Sequence, residues 1–234
     1  MEYAVAAALA VATFVPLMQT GDTVPPVPLV DQSGRAFSVA GLRGKAVILS
    51  FIYTRCADPK MCPLVSSKFA RLQTLIGNAP VHLVEITLDP TYDSPWILGA
   101  YGSAFGANPA RWTLATGTQA SIDDLAGRLG VATQWTRPGT LAHTEAVVIL
   151  DREARLVRIV DGSAWAPEDV LAIASAAALD APPLATRLRL WLGAAVEACG
   201  AGSIGVPAYA VLGLLFVAIG SCGVLLLRAL RTSP

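Results

Sequence analysis

An apolar run at residues 45–53 is followed directly by a segment with helical periodicity, and together they limit the folds open to this chain. The run, KAVILSFIY, shows little alternation of apolar and polar residues, which is typical of a strand buried on both faces. In residues 63–76 apolar side chains recur at helical spacing, and Gly77 and Asn78 end the predicted helix. We therefore expect a sheet with helices packed on both of its faces.

The remaining sequence continues this alternation of strands and helices. Ser94 before Pro95 predicts one helix start and Ser121 with Asp124 predicts another, whose helix Gly130 would end. The predicted order is a hairpin at 27–39, a strand at 45–53, a helix at 63–76, a strand at 81–88, a helix at 94–106, a strand at 112–115, a helix at 121–129, a second hairpin at 145–160 and a helix at 167–179. Crossover helices imply parallel pairing in the first part, and the later hairpin adds antiparallel strands. The predicted fold class is α/β, with a mixed sheet and flanking helices.

Residues 206–227 predict a transmembrane helix near the C-terminus. These 22 residues carry no charge, and about 20 apolar residues are enough for one helical span of a bilayer. Arg228 and Arg231 follow at once, whereas the nearest preceding basic residue is Arg189. The positive-inside rule therefore places the tail, residues 228–234, in the cytoplasm and the globular domain, residues 20–180, on the other side of the membrane.

Two further segments complete the predicted organisation. Residues 1–19 are apolar and rich in alanine, which favours an export signal, although no basic residue precedes the apolar stretch. A short membrane anchor or a misassigned start codon would also fit this segment. Residues 181–205 form a linker with an amphipathic part at 184–198, typical either of a helix on the membrane surface or of one packed on the domain.

The charge balance excludes one class of function. The chain has 17 acidic and 17 basic residues, so its formal net charge is zero. It also has no basic stripe and no interleaving of aromatic with basic residues, which nucleic-acid binding would require. We therefore expect no nucleic-acid partner.

Cys56 and Cys62 lie between the buried strand and the helix that follows it. A thiol at a helix N-terminus meets unpaired backbone N–H groups and the positive end of the helix dipole, which stabilise its thiolate. Arg55 and Lys60 add positive charge nearby. This placement favours a redox-active or metal-binding pair. The alternatives are a structural disulfide or two buried thiols that act as small apolar residues.

The two histidines of the chain differ in their positions. His82 lies within the second predicted strand and is expected to be structural or to face the edge of the sheet, whereas His143 precedes a strand at a junction that can lie beside the cysteines. Two thiolates and one imidazole form a soft donor set that suits Cu(I), or Cu(II) with an added oxygen, whereas zinc would require a fourth ligand. Met61 is a soft donor beside Cys62 but is expected to pack, and the role of Asp58 stays open.

Several ordered motifs carry a resemblance to a known family. They are the strand leading into FIYTRC, Cys62 followed by Pro63, the segment LDPTYDSP at 88–95, the residues from Ala100-Tyr101 to Phe105-Gly106, and His143-Thr144 before a strand. Over about residues 25–177 the chain resembles the Sco/SenC family of thioredoxin-like copper chaperones. The separation of 81 positions between Cys62 and His143 also suits that family.

The resemblance implies a thioredoxin-like domain on the periplasmic side of the cell membrane, or in an equivalent space, with the predicted C-terminal span as its tether. It implies copper bound by Cys56, Cys62 and His143, with Cys56 and Cys62 also forming a redox-active pair. The implied function is assembly of the CuA centre of a cytochrome oxidase, by copper transfer, by thiol reduction or by both. The implied partners are the oxidase subunit that carries CuA, an external thiol reductant and the membrane.

The chain departs from the family pattern in two respects. The family usually has three residues between its cysteines, whereas five separate Cys56 from Cys62, and the longer loop can still close because a disulfide needs Cα atoms about 4.4–6.8 Å apart. Many members are anchored at the N-terminus, whereas the predicted span of this chain is C-terminal. These differences predict altered copper affinity, redox potential and orientation toward the partner.

Three other interpretations compete with a metallochaperone. A thiol–disulfide oxidoreductase for exported proteins would need Cys56 and Cys62 but not His143. A peroxidase-like relative would need Thr54 and Arg55 to activate Cys56. A redox sensor that signals across the membrane ranks last, because residues 228–234 are too few for a signalling module.

Overall fold

Strands and helices alternate along most of the described chain, which in this computed structural model comprises residues 16–137, 139–179, 188, 191 and 193. The strands are β1 (Leu29–Asp31), β2 (Ala36–Phe37), β3 (Ala46–Ile52), β4 (Val81–Thr87), β5 (Trp112–Gly117), β6 (Thr133–Arg137), β7 (Thr140–His143), β8 (Ala146–Leu150) and β9 (Leu156–Asp161). The helices are α1 (Cys62–Leu75), α2 (Pro95–Ala104), α3 (Gln119–Arg128) and α4 (Pro167–Ala177), with a short 3-10 helix at Val39–Leu42.

The main sheet of the described residues is mixed, as the sequence predicted. Its strand order is β2-β1-β5-β4-β3-β8-β9. β3 and β5 both pair in parallel with β4, whereas the contacts of β1 with β2 and β5, of β3 with β8 and of β8 with β9 are antiparallel. β6 and β7 pair separately as an antiparallel hairpin.

The centre of the sheet forms the hydrophobic core. Every residue of β3 and β4 is buried, which confirms the prediction from the apolar run. α1 packs on the sheet through Phe69, whose ring centroid lies 5.8 Å from that of Trp112 and 6.4 Å from that of Trp165. His82 is buried on β4 with its Nε2 2.9 Å from Thr113 Oγ1, which confirms its structural role.

The pairing of β3 with β8 determines where the candidate site forms. In this antiparallel pair Ser50 lies opposite Val147, near the end of β3 and the start of β8. The loop that leaves β3 therefore begins at the same edge of the sheet at which the chain enters β8. Cys56 follows β3 and His143 precedes β8, so the topology brings two distant parts of the sequence to one edge.

Two local features differ from the sequence predictions. The hairpin of β6 and β7 was not predicted, because all five residues of β6 are exposed and their sequence, TQWTR, shows no apolar stripe. α3 begins at Gln119, two residues before the predicted start at Ser121. Its N-cap is Thr118, whose hydroxyl oxygen accepts the backbone N–H of Ser121 at 3.1 Å, so the Ser121–Asp124 capping pattern was wrong.

The predicted membrane segments fall largely outside the described residues. Residues 1–15 and 206–227 are among those not described, as is most of the linker at 181–205. Among the residues that are described, no helix combines the length and the apolar character that crossing a bilayer needs.

Two glycines of α2 test how tightly this helix packs on β5. A Cβ at Gly102 would lie 2.8 Å from the Cδ1 of fully buried Leu114, whereas a Cβ at Gly99 would meet only the Gln32 carbonyl oxygen at 3.5 Å. We expect Gly99→Ala to raise the free energy of unfolding through helix propensity, by up to about 1 kcal/mol. Gly102→Ala should have a free energy of unfolding about 1–3 kcal/mol lower than that of the unmodified chain, because overpacking displaces Leu114. Urea unfolding of both variants measures the difference, and equal stabilities would contradict this packing.

Candidate functional site

The two cysteines occupy different positions at the edge of the sheet. Cys62 is the first residue of α1 and is 1% exposed, whereas Cys56 lies six residues earlier in the loop and is half-buried. The loop turns by the backbone bonds from Cys56 N–H to Tyr53 O (3.2 Å) and from Met61 N–H to Asp58 O (3.2 Å). Both thiols are free, so this is the dithiol form.

His143 ends β7 and presents its imidazole to Cys62. The Nε2 atom lies 3.5 Å from Cys62 Sγ. On the other side of the ring, Nδ1 lies 3.1 Å from the backbone oxygen of Thr144. A carbonyl oxygen only accepts, so Nδ1 carries the hydrogen and Nε2 keeps its lone pair toward the sulfur. This tautomer is the one in which a neutral histidine binds a metal through Nε2.

The two thiols have opposite acidities. The hydrogen bond from the Cys62 thiol, aided by backbone N–H groups and the Tyr53 hydroxyl, outweighs burial and lowers the pKa of Cys56 to about 5. The same contact with Cys56 and burial raise the pKa of Cys62. The sequence predicted a thiolate at the helix N-terminus, but the residue at that position, Cys62, is the protonated partner. Its desolvation and the neighbouring thiolate outweigh the helix dipole.

Tyr53 is a site residue that the sequence analysis missed. Burial, and then the neighbouring Cys56, raise the pKa of Tyr53 to about 12, so its hydroxyl stays protonated and donates to Cys56. Its ring also lies edge-on to the imidazole of His143, with 5.9 Å between the centroids. Tyr53 therefore contacts both halves of the site. The only sequence signal for it was an aromatic residue at the end of a buried strand.

Arg55 has a different partner from the one its sequence position suggested. Its Nε donates to Asp89 Oδ2 at 3.0 Å, and its guanidinium carbon lies 4.2 Å from the centroid of the Tyr92 ring. Asp89 is completely buried, and a buried carboxylate without a cationic partner would be strongly destabilising, so the Arg55 guanidinium stabilises it. The positive charge expected beside the thiols is thus neutralised by Asp89, and Arg55 anchors the cysteine loop to the segment after β4.

Asp93 holds the same loop from a second direction. It is fully buried, and its carboxylate accepts the backbone N–H of Thr54 at 3.0 Å as well as the hydroxyls of Thr54 and Thr87. Burial raises the pKa of Asp93, and these three donors oppose that rise. The LDPTYDSP motif therefore supplies two buried carboxylates that fix the backbone just before Cys56.

A cavity of about 290 Å³ opens beside Cys56. Its lining includes Cys56, Met61 and Tyr53 on one side and Thr140, Leu141 and Ala142 of β7 on the other. Met61 is half-buried there, and the backbone oxygen of Asp58 lies 3.8 Å from Cys56 Sγ. The hairpin thus covers the exposed side of Cys56 without closing it off.

The three predicted ligands are connected by two contacts, both made by Cys62. Cys62 contacts His143 on one side and donates a hydrogen bond to Cys56 on the other. Within the described part of the chain, no three His, Cys, Asp or Glu side chains are already gathered as a cation site. Cys62 is therefore the residue that links the other two.

Comparison with known proteins assigns the chain to a family. The SCO1/SenC family model matches residues 16–178, which include both cysteines, His143 and both buried aspartates. The chain belongs to the SCO1/SenC family. Its structure also has the mixed sheet and flanking helices of a thioredoxin-like fold.

Three relatives illustrate the likeness to other family members. The chain is 29% identical over 108 residues to a SCO2-like protein of Rickettsia prowazekii, a match that covers 45% of this chain and 50% of that one. The copper-bound structure of Bradyrhizobium japonicum ScoI is 27% identical with a TM-score of 0.56, covering 64% of this chain and 96% of ScoI. Copper-bound yeast Sco1 is 26% identical with a TM-score of 0.54, covering 64% and 85% of the two chains.

The match covers only part of each curated relative. The chain spans between about a third and two thirds of the length of the curated relatives it matches. The Sco family to which these relatives belong is described as one of cytochrome c oxidase assembly proteins, and a disulfide switch is described for its member BsSco.

The low pKa of Cys56 predicts selective modification at acidic pH. In the reduced, metal-free protein we expect iodoacetamide to alkylate Cys56 with a midpoint near pH 5, well below the value of about 8.5 for a free cysteine. Mass spectrometry of the Cys56 peptide follows the reaction. Tyr53→Phe should raise the midpoint because it removes a donor to the thiolate, whereas Tyr92→Phe should not. A midpoint near 8.5 in the unmodified chain would show that Cys56 is an ordinary thiol.

The hydrogen bonds of Asp93 predict that its replacement destabilises the fold more than replacement of Asp58 does. Asp93→Asn replaces an acceptor of three hydrogen bonds by a group with one acceptor oxygen, and should lower the free energy of unfolding by about 1–3 kcal/mol. Asp58 is exposed, and its side chain accepts only the Lys60 N–H among the bonds described. Asp58→Asn should therefore change stability by less than about 0.5 kcal/mol. Thermal unfolding of the two variants checks the order, and equal losses would refute it.

Proposed function

We propose that this chain carries copper on Cys56, Cys62 and His143 and serves in the assembly of the CuA centre of a cytochrome oxidase. The observation that carries the proposal is the 3.5 Å contact between Cys62 Sγ and the Nε2 atom of His143. These residues lie 81 positions apart, and the fold nevertheless brings an imidazole nitrogen to a sulfur. Membership of the SCO1/SenC family and the copper in the ScoI and yeast Sco1 structures support the choice of metal.

The donor set suits copper by its chemistry. Thiolate sulfur is a soft ligand that selects Cu(I), and imidazole suits copper in both oxidation states. Cys56 already favours the thiolate, while Cys62 must lose its proton to bind. The Nδ1–H bond from His143 to the Thr144 carbonyl fixes the ring orientation, as outer-shell partners of metal-bound histidines do.

The differing exposure of the two thiols supports a carrier rather than a permanent holder. Cys62 is buried, whereas Cys56 borders the open cavity under the β6–β7 hairpin. An incoming partner thiolate can reach a metal from the Cys56 side while Cys62 and His143 still hold it. Transfer would thus proceed by ligand exchange, with the metal never losing all of its donors.

The location and the partners are also part of the proposal. We place the domain outside the cytoplasm, tethered to the cell membrane by a helix at residues 206–227, with the oxidase subunit that carries CuA as the target. The uncharged sequence of 206–227 and the two arginines after it support this orientation. In an oxidising compartment the pair would also require an external thiol reductant.

A second function is favoured by a specific observation, the opposite acidities of Cys56 and Cys62. A thiolate that a partner can reach and a buried thiol that resolves are what a thiol–disulfide oxidoreductase requires, and Cys56 borders the open cavity whereas Cys62 is buried. Reduction of the target cysteines would prepare them for copper, so the two activities are compatible. The peroxidase interpretation is less supported, because Thr54 and Arg55 donate to Asp93 and Asp89.

Copper titration of ligand variants tests the main proposal. We expect the reduced full chain to bind one Cu(I), and Cys56→Ser and Cys62→Ser to weaken binding by more than the about 10–100-fold that loss of an outer-shell partner costs. His143→Ala should retain weaker Cu(I) binding on two thiolates but lose Cu(II), which needs the imidazole. Competition with a chromophoric Cu(I) chelator measures the affinities.

The matched control is the other histidine. His82 is buried on β4, contacts Thr113 and is not one of the proposed ligands. The copper affinity of the His82→Gln variant should therefore equal that of the unmodified chain. Undiminished binding in all three ligand variants would overturn the proposal. Reductase activity retained by His143→Ala, with no copper bound by the unmodified chain, would favour the second function.

A further inference from the structure

β6 is an exposed strand with a free edge. It pairs with β7 in a two-stranded sheet that is separate from the main sheet, and all five of its residues are exposed. β7 is the inner strand of this hairpin, because its Leu141 is buried and lines the cavity beside Cys56. Within the described part of the chain, no strand pairs with the outer edge of β6.

The register of the hairpin shows which backbone groups point to that edge. The Thr144 N–H donates to Ala132 O at 3.0 Å, which identifies these two residues as a hydrogen-bonded pair. Hydrogen-bonded and non-hydrogen-bonded pairs alternate along antiparallel strands, so Gln134 is the next residue of β6 bonded to β7. The N–H and C=O groups of Thr133 and Trp135 therefore point away from β7.

The inner edge of the hairpin supports this assignment. Leu141 lies opposite Trp135, so the same alternation directs its backbone groups away from β6. Its N–H indeed donates to the Tyr53 hydroxyl oxygen, next to the cysteine loop. The edge of β7 is thus used within the domain, whereas the edge of β6 faces outward with two donors and two acceptors.

The outer edge of β6 borders the cavity beside Cys56. The register shifts between Trp135 and Arg137, and Thr136, the residue between them, lines the cavity. Such a bulge redirects a side chain and ends regular pairing. Trp135 is 44% exposed at this point, so a strand added to the edge would find a large apolar side chain to pack against.

The charges near this edge favour an acidic partner. Arg137 and Lys60 are exposed, and neither belongs to an ion pair of the described residues. Asp58 is an exposed anion of the same loop, and Arg55 is neutralised by Asp89. The cysteine loop and β6 together therefore retain one positive charge, which complements acidic residues on a partner.

We propose that the outer edge of β6 binds an extended, acidic segment of the partner protein, which brings the partner's cysteine to Cys56. This inference rests on the proposed thiol exchange at Cys56 and states how the partner is held there. An extended chain is the conformation that offers donors and acceptors at the two-residue spacing of Thr133 and Trp135. A segment paired beside Trp135 passes Thr136 at the margin of the cavity, so a cysteine a few residues further along enters it.

A trapped mixed disulfide tests the pairing. The full chain is used reduced and metal-free, with Cys62→Ser, Cys199→Ala and Cys222→Ala, so that Cys56 is the cysteine that remains. The probe is a peptide of about eight residues that alternates threonine and valine, contains two glutamates and carries one cysteine as an aryl disulfide. The Cys56 thiolate attacks the peptide sulfur, the aryl thiolate leaves and a Cys56–peptide disulfide forms. Two peptides, with the cysteine at either end, cover both strand directions.

Hydrogen-exchange mass spectrometry with residue resolution then reports on β6. In the peptide adduct we expect the amides of Thr133 and Trp135 to exchange at least about tenfold more slowly than in the free chain, because they become hydrogen-bonded. The controls are adducts with glutathione and with the same peptides N-methylated at alternate residues, and these should leave both amides unprotected. Unprotected amides in the adducts of both unmethylated peptides would overturn the proposal.

Reaction rates of two Thr133 variants provide a second measurement. Thr133→Pro removes an N–H that points away from β7, a change that edge strands tolerate, whereas Thr133→Ala keeps this N–H. Thr133→Pro should slow the reaction with the better peptide at least about fivefold, whereas Thr133→Ala should not. Both variants should react with the aryl disulfide of glutathione at the parental rate, which shows that Cys56 is intact. Equal peptide rates in the two variants would contradict docking on this edge, and if Thr133→Pro does not fold, the N-methylated peptides decide.

A second copy of the chain is the competing occupant of the edge. Sedimentation of the full chain without peptide detects it, and a dimer that Thr133→Pro dissociates would assign β6 to self-pairing and overturn the proposal. Copper titration is carried out separately on the unmodified chain. Absence of copper binding with protected β6 amides would refute the copper function alone, whereas copper binding with unprotected amides would refute docking on β6 alone.

Discussion

The antiparallel contact between β3 and β8 is the constraint from which the site follows. It places the end of one strand beside the start of another that lies almost 100 residues later, with Ser50 opposite Val147. The loop with Cys56 and the segment ending at His143 therefore meet at one edge of the sheet. The buried core strands thus bring the sulfur of Cys62 near the imidazole of His143, which the β6–β7 hairpin holds in place.

Around this edge, a second layer of contacts fixes the loop that carries Cys56. Asp89 and Asp93 are buried, and they hold Arg55 and Thr54, the two residues before the cysteine. Tyr53 reaches from the end of β3 to both Cys56 and His143. The acidity of Cys56 is thus a property of the folded loop and its donors, rather than of the helix dipole alone.

Sequence patterns predicted those parts of the fold that depend on local periodicity. The buried strands, the helix after Cys62 and the final hairpin and helix all appeared close to the predicted bounds. The β6–β7 hairpin was missed, because an exposed strand such as Thr133–Arg137 has no apolar pattern to reveal it. His143 was identified by position and by a family motif, but its contact with Cys62 depends on that hairpin. The pairing of Arg55 with Asp89 depends on neighbours in three dimensions, which a linear pattern does not contain.

The separation of the donors along the chain ties ligand binding to folding. A partly folded chain that has formed β3 and α1 already holds Cys56 and Cys62, but His143 joins them only when β8 has paired with β3. A ligand that needs all three side chains therefore binds the native state and not the unfolded one. By mass action its binding adds RT ln(1 + [L]/Kd) to the stability of the whole sheet, so loading at one edge protects strands far from it.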